Sequence, residues 1–187
     1  MILIMEGHDK AGKTTIAEAL SKQISYPIFK DPRRKQIIKH NDTSAAVQAG
    51  LLLANFMHCT KPDIILDRFY PSEIVYSQVL NRKTNIWDLW KTDRIMANTE
   101  ARIILCYKSN IKQKDEIHNI EILKQVKDKY FEFANKTKCN TLMLDTTDEG
   151  INAQIQKILD WIYKDYNSKL VKFLFGDKEK DGEENGI

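Results

Sequence analysis

Short apolar runs alternate along this chain with longer segments in which apolar positions recur every three or four residues. The runs occupy 1–5, 27–29, 63–66, 101–107 and 140–144. A short run with no polar face predicts a strand covered on both sides. Between the runs, 14–23, 44–58, 72–80, 86–97, 120–135 and 150–166 carry helical spacing. In the last of these, Ile151, Ile155, Ile158, Leu159 and Ile162 fall on one stripe. Buried strands alternating with helices predict an α/β fold of three layers, a five-stranded parallel sheet flanked by helices. Trp87 and Trp90, beside Ile86 and Leu89, read as core, as do Trp161 and Tyr163. Lys124, Lys127 and Lys129, interspersed with Glu121 and Asp128, read as a solvated helix face.

The pattern ends near Tyr166. An apolar patch at 170–175 is followed by a charged, glycine-containing stretch without periodicity. This predicts one domain over 1–170 and a flexible tail over 171–187. The alternative for the tail is a contact with a partner through Phe173 and Phe175. A length of 187 residues suits a single core.

Composition narrows the picture only slightly. Charged residues make up 29% and apolar residues 42%, an ordinary globular balance. A net charge of +3 does not require nucleic acid as a partner and suits a local phosphate pocket equally well. No apolar run approaches the roughly 18 residues of a membrane span, and the run at 1–5 is too short for a signal peptide. Cys59, Cys106 and Cys139 show no metal-ligand spacing. Cys59 and Cys106 sit in or beside apolar runs and read as buried thiols of a cytoplasmic protein.

The chemistry enters at Gly7-His8-Asp9-Lys10-Ala11-Gly12-Lys13-Thr14, which fits G-x-x-x-x-G-K-[ST] without a gap. It follows a predicted strand and opens a predicted helix, the context that a phosphate-binding loop needs. Gly7 and Gly12 let the backbone curl so that N–H groups face a phosphate, and the helix adds its positive end. Lys13 supplies a point charge to the β- and γ-phosphates, and the Thr14 hydroxyl can hold Mg²⁺. The second acidic anchor is Asp67, at the end of the run at 63–66, with Arg68 next to it.

With those residues in place, two stretches resemble the thymidylate kinase family. Glu6-Gly7-His8-Asp9-Lys10-Ala11-Gly12-Lys13-Thr14-Thr15 is similar to its E-G-x-D-[RKG]-x-G-K-[ST]-T loop. Asp67-Arg68-Phe69-Tyr70-Pro71-Ser72-Glu73-Ile74-Val75-Tyr76-Ser77 resembles its D-R-[YF]-x-x-S-x-x-[AV]-Y-[QS] stretch. Between them, Lys30-Asp31-Pro32 stands where the family has R-E-P, and Leu51-Leu52-Leu53-Ala54-Asn55 resembles the L-F-x-A-[ND] helix. The resemblance spans about 1–165 in order and implies a phosphate-loop kinase fold. It implies that Gly7, Lys10, Ala11, Gly12, Lys13, Thr14 and Thr15 hold ATP, and that Thr14 and Asp67 hold Mg²⁺. Lys10, Lys13, Asp67 and Arg68 become the catalytic set. On the acceptor side, Asp9 would hold the sugar 3′-hydroxyl, and Lys30 and Arg68 the phosphate. Ser72 would line the same site, and Tyr76 would lie against the deoxyribose. One subgroup of the family has a basic residue at the loop position of Lys10, and the other uses lid arginines. The lid segment here, about 108–118, holds Lys108, Lys112 and Lys114 but no arginine.

Three departures bear on the acceptor. Phe56 stands where the family carries a thymine-reading arginine, Lys30 replaces the R-E-P arginine, and Arg33 and Arg34 replace glycines. The expected activity is phosphorylation of dTMP, dUMP or a 5-substituted dUMP to the diphosphate by a homodimer. A kinase of a hydroxyl acceptor is the alternative, either a deoxynucleoside or a hydroxymethylated pyrimidine in DNA. It would need Asp31 or Asp9 as a base. A nucleotide-dependent scaffold is a third reading, set against the intact Lys13, Thr14 and Asp67.

Overall fold

The computed structural model describes residues 1–30, 43–112, 114 and 117–175, with the backbone alone for 165–175. Asp31, Pro32, Arg33, Arg34, part of the 108–118 segment and the tail from 176 onward lie outside the described residues. In chain order the elements are β1 (Ile2–Glu6), α1 (Lys13–Ile24), β2 (Ile28–Lys30), α2 (Ser44–Thr60), β3 (Ile64–Asp67) and α3 (Tyr70–Val79). Then follow α4 (Ile86–Asn98), β4 (Arg102–Tyr107), α5 (Ile120–Ala134), β5 (Asn140–Asp145) and α6 (Ile151–Phe175).

The strands form one sheet in the order β2-β3-β1-β4-β5, and all its pairs are parallel. The register places Ile4 beside Leu66 on one side and Ile103 on the other. Alternate residues of β1 serve the two faces. Ile2 and Ile4 join Leu66, Ile103 and Leu105 in the core beneath α2, α3, α4 and α5. Leu3 and Met5 join Ile65, Ile104 and Cys106 in the core beneath α1 and α6. On that second face α1 contributes Ile16, Ala17 and Leu20, and α6 contributes Ile155, Ile158, Leu159 and Ile162. Each of the larger side chains is worth about 1.5–3 kcal/mol on burial. The expected three-layer α/β fold is therefore the observed one.

Four expectations change. Trp87 is 79% exposed, because it lies two residues, about 200° around the helix, from the buried Leu89. Trp90 does pack against the core, stacked on Phe133. Tyr163 is 55% exposed, one residue beyond the buried Ile162 at the edge of the α6 stripe, whereas Trp161 packs inward. Cys59 is exposed near the end of α2, while Cys106 is buried as expected. The backbone of α6 stays helical to Phe175, five residues into the segment expected to be tail.

The order of the strands sets the site. The chain builds β2 and β3 on one side of β1 and then β4 and β5 on the other, so the connections diverge around β1. Ligands of open parallel sheets bind outside the carboxyl ends of strands at such a point. The 7–12 loop leaves β1 there. Gly7 has φ +132°, and a Cβ on it would lie 1.8 Å from the carbonyl oxygen of Cys106 in β4. Gly7→Ala is expected to cost about 3 kcal/mol or more in chemical denaturation through strain and displaced backbone. A loss of under about 0.5 kcal/mol would show that the loop does not need this close approach.

Candidate active site

The loop between β1 and α1 turns through three left-handed residues, Gly7, Lys10 (φ 66°) and Gly12 (φ 78°). Gly12 is also the N-cap of α1, so the loop ends on a helix N-terminus suited to an anion. Two side chains outside the motif's fixed positions pin the loop. The backbone N–H of Lys108 donates to His8 Nε2 at 3.0 Å. His8 Nδ1, 2.7 Å from the Asp9 carbonyl, then carries the proton and donates. Burial pushes the His8 pKa down to about 4, so this ring stays neutral. From the end of β5, the Thr146 hydroxyl lies 3.0 Å from the carbonyls of Ala11 and Tyr107. It can donate to one at a time.

Lys13 sits buried inside the loop, its Nζ donating to the His8 carbonyl at 2.6 Å. Burial, then the nearby Arg68 charge, pulls its pKa down to about 7. Thr14 Oγ1 donates to Asp67 Oδ2 at 3.0 Å. That distance brings a hydroxyl and a carboxylate from different elements to one point. Hard oxygen donors of this kind, completed by phosphate and water, suit Mg²⁺. Lys30 Nζ lies 3.3 Å from the same Asp67 oxygen and 3.9 Å from Glu18.

The second half of the site is a network at the end of β1. Glu6 is fully buried. Its Oε1 accepts from the backbone N–H of Phe69 at 2.7 Å and of Ser72 at 3.3 Å. In this way a carboxylate from another strand caps α3, whose own N-cap residue offers no side-chain bond. Glu6 Oε2 accepts from the Ser72 hydroxyl at 2.6 Å and from Tyr130 at 2.8 Å. Arg68, 6% exposed, donates to Ser72 at 3.1 Å and Tyr130 at 3.2 Å and pairs with Asp9. Its guanidinium also lies 4.0 Å from Glu6 and over the Tyr76 ring. The Tyr76 hydroxyl donates to Asp9 Oδ2 at 2.8 Å, and His118 Nδ1 is 3.9 Å from the same oxygen.

A cleft of about 500 Å³ joins the two halves. Lys10, Lys13, Thr14, Thr15, Asp67, Asp9, Lys30, Arg68 and Ser72 line it, so most expected site residues meet there. Gly7 and Ala11 shape the loop behind that lining. Tyr76 lies outside the lining and reaches the cleft through Asp9. The far end is lined by Ala46, Val47, Gly50, Phe69 and Leu89. Phe56, at the place of the family's arginine, is 61% exposed and lies away from the cleft. Lys112 and Lys114 are exposed. Sequence reasoning assigned no role to Glu6, His8, Tyr130, Thr146 or His118. Glu6, as the first residue of the matched loop, and His8, at a variable position within it, lay in a recognised motif; the other three carried no local signal.

Comparison with known proteins bears on the fold. No protein-family model matches the chain. A probable thymidylate kinase of Methanocaldococcus jannaschii is 24% identical over 183 residues, 87% of this chain and 95% of that protein. The Bacillus subtilis YorR protein, solved in complex with phosphorylated GDP, superposes with a TM-score of 0.69 at 20% identity. That match covers 89% of this chain and 98% of YorR. Thymidylate kinase from Candida albicans gives a TM-score of 0.56 at 20% identity over 89% of this chain and 92% of its own. Deoxyadenosine and shikimate kinases share the fold as well, so the fold by itself does not choose the acceptor.

The lowered pKa of Lys13 gives a pH test. Phosphate oxygens around Nζ favour its charged form, so binding MgATP should draw in a proton wherever free Lys13 is neutral, above about pH 7. Near pH 8 the uptake should be about one proton, and affinity should fall as pH rises further. Calorimetry in buffers of differing ionisation enthalpy measures it. Uptake that persists in Lys13→Ala would assign the proton to another group.

Proposed function

We propose that this chain, a divergent member of the thymidylate kinase family, moves the γ-phosphoryl group of ATP, with Mg²⁺, onto the phosphate of a deoxynucleoside monophosphate. In this reading the loop from Gly7 to Thr15 cradles the ATP phosphates. Lys13 lies between the β- and γ-groups, and Thr14 and Asp67 hold the metal. Lys10 adds charge where the transferring group becomes most negative. Asp9 faces the sugar, and Tyr76 sets the direction of Asp9 through its hydroxyl bond.

The observation that supports this reading best is the charge at the acceptor end. Arg68 lines the cleft beside Lys13 and Lys30, and both oxygens of Asp9 already have partners, Arg68 and Tyr76. A monophosphate is ionised near neutral pH and needs cations but no base. A hydroxyl acceptor needs a base; of the two carboxylates that could serve, Asp9 is poorly placed and Asp31 lies outside the described residues. The apolar end of the cleft suits a planar base, and the resemblance to thymidylate kinases supports dTMP, dUMP or a 5-substituted dUMP as the acceptor. A homodimer fits the exposed Leu52 and Phe56 on α2. No described helix is long and apolar enough to cross a membrane.

An ATP-consumption assay across the common deoxynucleoside and nucleoside monophosphates tests the acceptor. Turnover with a pyrimidine deoxynucleotide, and none with free nucleosides, is expected. Turnover with a nucleoside, or with hydroxymethylated pyrimidines in DNA, would establish the hydroxyl reading. The role of Lys10 has its own test. Lys10→Ala should lower kcat by about a hundredfold with a much smaller change in the KM for ATP. Lys112→Ala and Lys114→Ala should be milder. Larger losses at the lid lysines would move the transition-state charge to the lid.

A further inference from the structure

A second cavity, about 560 Å³, lies between α3, α4 and α5, away from the catalytic cleft. Its volume is close to that of the cleft and falls in the range of small-molecule sites. Its aromatic wall is Trp90, stacked on Phe133 with centroids 5.8 Å apart and planes 20° from parallel. At its rim stands Trp87, 79% exposed, an unusual state for the largest apolar side chain. Around these rings lie Lys91, Arg94, Lys129 and Lys136, against one lining carboxylate, Glu132. Lys91 is drawn to Asp88 and Lys129 to Glu132, so the rim stays cationic after those pairs are formed.

Flat aromatic surface bordered by several cations recognises a planar base attached to phosphate. We infer that this cavity is an accessory binding site for a free nucleoside triphosphate, with the base against Trp87 and Trp90 and the phosphates among Arg94, Lys136 and their neighbours. The chain's small net charge and the single-nucleotide size of the cavity favour a free nucleotide over a nucleic acid strand. The position also suggests what occupancy would do. Ile74, in the cavity wall, lies on α3 between Ser72 and Tyr76. Phe133 lies one helical turn beyond Tyr130 on α5. The helices that would hold the nucleotide thus carry the groups that fix Glu6, Arg68 and Asp9, on the other face of α3 and one turn away along the same face of α5. A ligand here would regulate the acceptor side of the site and not the ATP side.

The test is equilibrium dialysis of dTTP on the full chain, together with tryptophan fluorescence, for wild type, Lys13→Ala and the double variant Trp87→Ala/Arg94→Glu. Wild type should show a class of dTTP site that survives Lys13→Ala and quenches fluorescence. In the double variant that class should weaken at least about tenfold while kcat is unchanged. Binding lost in Lys13→Ala belongs to the catalytic cleft and bears on the proposed activity, whereas binding lost in the double variant belongs to this cavity, so the two failures are distinguishable. If every bound dTTP depends on Lys13, or if the surviving class is untouched in the double variant, the accessory site is overturned. Quenching by a thymidine decanucleotide with none by dTTP would also overturn it, in favour of strand binding. Should the double variant prove unstable, Lys136→Glu, on the exposed rim, must show the same selective loss, and its failure to do so counts against the site.

Discussion

A carboxylate taken fully out of water must have both oxygens satisfied, and the cost of leaving one unpaired is several kcal/mol. Glu6 is such a group, and meeting its demand organises the side of the cleft proposed to hold the acceptor. Its partners come from the turn after β3, from the first turn of α3 and from the middle of α5. None of these can move without exposing a buried charge. Arg68 completes the balance between Glu6 and Asp9, and that is how a guanidinium can be buried yet line the cleft. The left-handed backbone of Arg68, φ 70°, is held against its intrinsic preference by the same contacts.

The phosphate side rests on a different device. Its loop is shaped by backbone conformation and held by neutral hydrogen bonds, from His8 to the segment after β4 and from Thr146 after β5. A loop fixed by its surroundings presents its N–H groups without reorganising when charge arrives. Lys13 is the cation buried within it, at the expense of a lowered pKa. The two halves meet at Asp9 and Asp67, which pair with Arg68 and Lys30. Kinases of different acceptors share the fold, while the likeness to a probable thymidylate kinase extends over most of the chain.

Much of this was legible in the sequence because the signals were local. The strands showed as apolar runs, and each lies within a residue or two of its expected place. The phosphate loop and its partner Asp67 are short motifs whose chemistry depends on spacing, and the structure joins them through Thr14. What escaped notice depends on contacts between distant segments. Tyr130 bonds Glu6 across 124 positions and His8 meets Lys108 across 100, and no local pattern encodes such pairs. Trp87 misled for a different reason. Apolar spacing marks a stripe, but a residue at the edge of that stripe is placed by which neighbour faces inward, and here Leu89 does. Phe56 likewise shows that matching a helix by sequence does not fix which of its residues looks into the cleft.

Glu6 holds Arg68 and α3 in place beside the proposed acceptor site. Steady-state kinetics of Glu6→Gln, with unfolding by denaturant in parallel, tests it most directly. The amide keeps the size but loses the charge that balances Arg68. The account predicts a stability loss of about 2–4 kcal/mol and a KM for the acceptor raised at least about tenfold, with the KM for ATP within about twofold of wild type. An unchanged stability, or a KM for ATP that rises as much as that for the acceptor, would contradict it.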